Sequence, residues 1–151
     1  MIRIAVTDDM PIVLEGVRLL LDRVDDFEVV AEYVNGKDMV ENIAHSGADI
    51  VLTDIDMPVM DGKTATRQLL SKYPDKKVIA LSMYSDYENY YDMISSGVRG
   101  FVLKQSSIRE LEKAIRDVYS GGSFFSTDLL QNIIINLSTS AAKKEHRGSV
   151  S

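Results

Sequence analysis

Three aspartates are the residues best placed by type and spacing to do chemistry: Asp8 and Asp9 in "TDD", and Asp54 in "IVLTDIDMPVMDG". They stand at the ends of short apolar runs that read as buried strands, so they fall where a strand leaves its sheet. Ser82 closes "KVIALS" and Lys104 closes "GFVLK" in the same way. Brought to one place, three carboxylates repel one another, and such a site either takes up protons or holds a cation. Lys104 neutralises part of that charge and a divalent metal the rest. All-oxygen donors without cysteine or histidine favour Mg2+, which binds through one or two carboxylates and shares a phosphate oxygen readily. Metal, carboxylate and ammonium together suit phosphoryl transfer, which is catalysed mainly by positioning and by neutralising charge. In that chemistry Asp54 is the nucleophile that forms an acyl phosphate. Ser82 and Lys104 hold the new phosphoryl oxygens.

Convergence requires a fold that gathers strand ends. Five apolar segments recur, at 2–6, 28–33, 49–53, 77–82 and 100–104, with helical spacing between them. Val13, Val17, Leu20, Leu21 and Val24 share one helical face, and Ile108, Leu111, Ile115 and Val118 form a stripe on another helix. Ser85 with Glu88, and Ser107 with Glu110, have capping-box spacing. Gly47, Gly97 and Gly121 follow helical segments, where a left-handed residue is commonly needed. Strands alternating with helices imply right-handed crossovers and a parallel sheet covered on both faces. The expected fold is α/β, a three-layer doubly wound sheet of five parallel strands. Ligands in such sheets sit outside the carboxyl ends of the strands, where strand order reverses. With the order 2-1-3-4-5, the first and third strands are neighbours and their carboxylates meet.

Taken singly, each feature has a structural reading. An Asp-Asp pair is also a common helix cap, and "MPVMDG" alone is a turn. The joint placement of suitable residue types at four strand ends is what speaks for chemistry. Two other motifs fail on spacing: Gly62-Lys63-Thr64 lacks the earlier glycine of a phosphate-binding loop, and Asp54-x-Asp56 as a calcium loop meets Pro58 at its next acidic position.

Composition bounds the function classes. With 45% apolar and 26% charged residues the chain has the makings of a folded soluble domain. A net charge of -6 argues against this segment gripping a phosphate backbone itself. There is no cysteine, hence no disulfide or thiolate metal site. No signal peptide or membrane-spanning run is read, which makes a cytoplasmic protein without membrane partners the expectation.

The residues "TDD" at 7–9, "TDIDMPVMDG" at 53–62, "ALS" at 80–82 and "GFVLK" at 100–104 resemble the receiver domain of bacterial two-component response regulators, over residues 2 to about 120. The segment "SSGVRGFVLKQSSIRELEKAIRDVYSGGSFFS" looks most like the NarL/FixJ (LuxR-type) subfamily, whose receivers precede a helix-turn-helix DNA-binding domain. The resemblance implies a flavodoxin-like receiver fold and a phosphoacceptor signalling domain rather than an enzyme. By it Asp54 is the phosphoacceptor, and Asp8, Asp9, Asp54 and the backbone carbonyl of Asp56 bind Mg2+. Ser82 and Phe101 are the switch residues, Phe101 turning inward on phosphorylation, and Lys104 contacts the phosphoryl group.

The implied partners are a sensor histidine kinase, a second copy of the chain after phosphorylation, and DNA only through a domain not in this chain. Many receivers carry proline after the lysine, but here it is Gln105, so no cis peptide bond is inferred there. The expected organisation is a receiver at 1–122, an extension with a short helix at 123–137, and a linker-like tail at 138–151. Too few residues follow Ser126 for a helix-turn-helix domain. The resemblance implies a signalling surface on the fourth helix, fifth strand and fifth helix, where Tyr84, Tyr87, Tyr90 and Tyr91 cluster, with packing over the sheet an equal reading for Tyr90 or Tyr91. The rival reading is a haloacid-dehalogenase-type Mg-dependent aspartyl phosphatase, which Asp54-x-Asp56 after an apolar strand also resembles; it leaves Asp8 and Asp9 without a role.

Overall fold

The computed structural model describes residues 1–55, 57, 59–82, 87–104, 106–125 and 135, and for residues 87–90 the backbone alone. Five strands follow the apolar segments to within a residue: β1 (Ile2–Thr7), β2 (Phe27–Tyr33), β3 (Ile50–Asp54), β4 (Lys77–Ser82) and β5 (Gly100–Leu103). Between them run α1 (Pro11–Asp22), α2 (Gly36–Ser46), α3 (Gly62–Lys72) and α4 (Tyr87–Ser95), and α5 (Ile108–Tyr119) follows β5. A further strand, β6 (Phe124–Phe125), completes the sheet. All pairings are parallel, in the order β2-β1-β3-β4-β5-β6.

The expected order 2-1-3-4-5 is therefore present, extended at its edge by β6. Two residues are too short for any periodic signal, which is why Phe124 and Phe125 read as part of an extension. They become a strand by pairing with Gly100 and Phe101 of β5.

Strand alternation divides the interior into two cores. Ala5, Val51, Val78 and Ala80 face α2 and α3 with Met39, Ile43, Ala65 and Leu69, while Ile4, Val6, Leu52 and Ile79 face α1 and α5 with Leu14, Leu21, Leu111 and Ile115. The stripe predicted on α5 packs into this second core through Leu111, Ile115 and Val118, with Ile108 half-buried beside it. On α1 most of the expected face meets the core, with Leu21 buried and Val17 and Val24 packed against it; the difference is that Leu20 is exposed and Leu14 is buried instead. The helix is apolar on several sides, so spacing alone does not choose which side meets the sheet.

Helix ends form as their residue types dictate. Gly47, Gly97 and Gly121 all have positive φ, at 73°, 104° and 98°. Ser107 caps α5 by accepting from the Glu110 amide, and Asn35 and Asp61 cap α2 and α3 by accepting from the amides of Asp38 and Thr64 at 2.8 and 2.7 Å. The predicted Ser85 cap lies outside the described residues, as do Asp56, Gln105 and all but Ile135 of the stretch 126–151.

The Asp61 cap has a testable cost. Burial pushes the Asp61 carboxyl up, but the amide and hydroxyl of Thr64 outweigh it and hold the group below its ordinary value. A depressed carboxylate stabilises the fold above its unfolded pKa, and that contribution disappears as pH falls through the folded value. Asp61→Ala is expected to lose about 1 kcal/mol near neutral pH. Urea melts should show the two proteins converging in acid, and a gap unchanged by pH would remove the charged cap as its cause.

Candidate functional site

Each residue singled out for chemistry sits at the carboxyl end of a strand, and the sheet order brings them together. Asp8 follows β1 directly, Asp54 ends β3, Ser82 ends β4 and Lys104 follows β5. Thr7 pairs with Thr53, Asp54 with Leu81 and Ser82 with Leu103, so the four strand ends stand side by side. Asp8 is fully buried, Asp54 is 7% exposed, and Asp9 reaches solvent. One carboxylate oxygen from each of Asp8, Asp9 and Asp54 lies within 4.8 Å of the others.

Lys104 reaches into this group with a side chain only 9% exposed, its Nζ lying 2.6 Å from Asp8 Oδ2 and 3.3 Å from Asp54 Oδ1. The 2.6 Å contact is an ion pair without a well-directed hydrogen bond, so Asp8 Oδ2 keeps acceptor capacity in a buried place. Asp8 Oδ1 accepts from the Met10 amide at 2.9 Å. Met10, not an aspartate, occupies the N-cap of α1 and makes no side-chain cap, so simple capping does not account for the acidic pair.

Burial and the neighbouring Asp8 charge push the Asp54 carboxyl up to about 6, against the pull of Lys104. Burial also pushes Lys104 down, but Asp8 and Asp54 together hold it above the ordinary lysine value. The ammonium therefore stays charged while one more positive charge is wanted. Three clustered carboxylates, only two of them met by the buried ammonium, with a spare acceptor on Asp8, fit a small oxygen-seeking divalent cation.

The loop after Asp54 is drawn back against the strand end. Gly62 N donates to Ile55 O at 2.7 Å, and Gly62 lies so close to the Asp54 carbonyl that a side chain there would overlap it. Val59 carries the left-handed backbone of this loop with φ 71° while its side chain is 78% exposed. A β-branched residue rarely adopts that conformation, and such strain gathers beside functional sites. No sequence signal marked Val59 or the closeness of Gly62.

Phe101 is paired with Ala80, two residues before Ser82, and its ring is buried at 1% exposure. The ring that the resemblance makes a switch residue is thus covered, with Phe125 of β6 packed against the same core. Lys104 N donates to Ser82 O at 2.6 Å, which joins the two strand ends that carry them. Tyr91 is exposed on α4, so of its two readings the surface one holds; Tyr84 and the side chains of Tyr87 and Tyr90 lie outside the described residues. Among the described residues no helix is long and apolar enough to cross a membrane.

Comparison with known proteins agrees with this geometry. The family described as "Response regulator receiver domain" matches residues 4–116. The transcriptional regulatory protein DegU of Brevibacillus brevis is 35% identical over 133 residues, which cover 88% of this chain and 56% of that protein. The crystal structure of a LuxR family two-component response regulator from Aurantimonas sp. SI85-9A1 superposes with TM-score 0.84 at 29% identity, covering 90% of this chain and 97% of that one. The isolated receiver domain of RcsB from Salmonella enterica serovar Typhimurium, solved in the presence of phosphomimetic BeF3-, superposes with TM-score 0.78 at 26% identity, covering 86% and 96%.

The phosphatase reading finds no support in these likenesses, and the site it left unexplained, Asp8 with Asp9, is shared with Asp54. Its aspartate motif also lies on the third strand, in the middle of the sheet. The chain belongs to the response regulator receiver domain family of two-component systems, and its relatives are of the NarL/FixJ (LuxR-type) kind.

Proposed function

We propose that this receiver accepts one phosphoryl group on Asp54 from a histidine kinase and is switched by it. The observation that carries the reading is the meeting of three carboxylates and one buried ammonium at the carboxyl ends of β1, β3 and β5. The oxygen donors and the charge deficit favour Mg2+, held by Asp8, Asp9 and Asp54 and, by the family pattern, the Asp56 carbonyl. When bound, it supplies positive charge against the phosphoryl oxygens.

The protein's own residues do the rest. A carboxylate oxygen of Asp54 attacks phosphorus; the new O–P bond forms as the P–N bond to the donor imidazole breaks, and the electron pair leaves with the imidazole. No proton need leave Asp54, because the group reacts as the anion. Lys104 releases its contact with Asp54 to hold a phosphoryl oxygen, and the Ser82 hydroxyl donates to another. The added charge of about -1 then biases the packing of Ser82 and Phe101, a change between discrete arrangements of a packed core.

The chain spans 56% of the length of DegU and 63% of a Bacillus subtilis relative, YhcZ, so output is a matter for the longer protein. Control of transcription is the output that the names of these relatives favour, and by the subfamily resemblance it would run in the cytoplasm through a helix-turn-helix domain, with a homodimer formed on phosphorylation. In this reading the domain is a phosphoacceptor that assists its own modification and turns over no external substrate.

Intact mass after incubation with acetyl phosphate and Mg2+ tests the central step. One phosphoryl group per chain is expected, and a chelator should abolish it. No gain in mass with metal present, or an equal gain without it, would overturn the reading.

A further inference from the structure

Three threonines beneath the site have 0% exposure and no part in the chemistry above: Thr7, Thr53 and Thr66. Alternation along the strands turns Thr7 and Thr53 away from the carboxylates, onto the Ala5 and Val51 face that α3 covers, and Thr66 lies in the first turns of α3. A buried hydroxyl is costly unless it is bonded, and valine of nearly the same shape would fill the space without that cost. Packing alone gives no reason for hydroxyls here.

Two of the three are bonded to the ends of the loop that follows Asp54. Thr53 Oγ1 donates to Asp54 O at 3.0 Å, and Thr66 Oγ1 donates to Gly62 O at 2.6 Å. Gly62 N in turn donates to Ile55 O at 2.7 Å, closing the loop on itself. A bond from a helical threonine to the carbonyl four residues back is common and local by itself. Here the accepting carbonyl belongs to the glycine that is pressed against Asp54 and whose amide donates to Ile55 O, so the bond steadies the residue that meets the strand end.

We infer that Thr53 and Thr66 are positioning residues that hold Asp54 and Gly62 in place on either side of their close contact and thereby set the Asp54 carboxylate for phosphoryl transfer. The inference rests on the reading of Asp54 as the phosphoacceptor. Thr7 supplies a control within the same layer: it is paired with Thr53 in register and equally buried, but its hydroxyl has no hydrogen-bond partner among the described residues.

The test is the rate of phosphoryl uptake by the full chain at saturating acetyl phosphate and Mg2+, with the half-saturating acetyl phosphate concentration measured alongside. Thr53→Val and Thr66→Val are each expected to lower the maximal rate about tenfold, because small displacements of a reacting group are penalised steeply, and to leave the half-saturating concentration nearly unchanged. Thr53→Ser and Thr66→Ser should keep the parental rate, and so should Thr7→Val. Parental rates in both valine variants, or an equal slowing by Thr7→Val, would overturn the inference. Should a valine variant not fold, the serine and alanine variants at that position decide: alanine tenfold slower than serine sustains the positioning role, and equal rates sink it. A parent that takes up no phosphoryl group defeats the Asp54 reading and this inference with it; a modified parent with indifferent variants defeats only the positioning role.

Discussion

Asparagine at position 54 is expected to abolish phosphoryl uptake and, in the same variant, to make the metal-free protein more stable at neutral pH. The first effect follows from removing the nucleophilic carboxylate. The second follows from its surroundings, since burial and the Asp8 charge raise the Asp54 carboxyl to about 6 from 3.8. An acid whose folded pKa lies above its unfolded value binds its proton more tightly in the fold, so its contribution is fully present below the unfolded pKa and is lost as pH rises through the folded one.

The parent should therefore fall behind Asp54→Asn between about pH 4 and pH 6, with the gap constant above pH 7. A shift of this size has a ceiling of about 3 kcal/mol, and a gain of about 1 to 2 kcal/mol is expected because Lys104 loses one of its two carboxylate partners. Urea melts in chelator at several pH values measure it. Equal stability near neutral pH, or a gap that ignores pH, would show that the site stores no such strain. Mg2+ should narrow the gap by stabilising the parent alone, since an ion that binds only the folded state raises its stability by mass action.

Gly62→Ala is expected to be the most damaging single-methyl change in the molecule. The new Cβ would overlap the Asp54 carbonyl oxygen and stand 3.0 Å from Ile55 Cα, both backbone atoms that cannot step aside as a side chain would. Relief requires the start of α3 to move away from β3, which breaks the Gly62 to Ile55 hydrogen bond and drags the phosphoacceptor loop with it. A loss of about 3 kcal/mol, at the upper end for overpacking, is expected together with severe loss of phosphoryl uptake.

Gly16→Ala makes the opposite case. Nothing lies within 4 Å of its added Cβ, and Gly16 sits inside α1. Alanine should there stabilise by about 0.5 to 1 kcal/mol, the usual helical preference over glycine. Thermal melts of the two variants separate close approach from backbone freedom as the reason for glycine at position 62; similar losses in both would refute the steric account.

Much of this arrangement was legible from the order of residues. Five apolar segments separated by capped helices specify a parallel sheet, and the right-handed crossover rule leaves few orders to choose from. Asp8, Asp54, Ser82 and Lys104 were visible as candidates because each stands at a strand end, a position that hydrophobic runs mark sharply. Illegible features share one property: they depend on distance between segments far apart in sequence. β6 exists only because β5 offers it an edge, and the buried side of α1 was chosen by the sheet, since several of its sides are apolar enough.

By itself, then, the sequence determined the elements, the parallel sense of the sheet and the residue types at the strand ends, because periodicity, caps and crossover handedness are local or nearly local properties. Tertiary structure alone decided the electrostatics and the fit: that Lys104 lies between Asp8 and Asp54, that Asp54 is buried enough to resist ionisation, and that Gly62 has no room for a methyl. Charge interaction, desolvation and steric exclusion all depend on separations of a few ångströms across the fold, and no spacing along the chain encodes them.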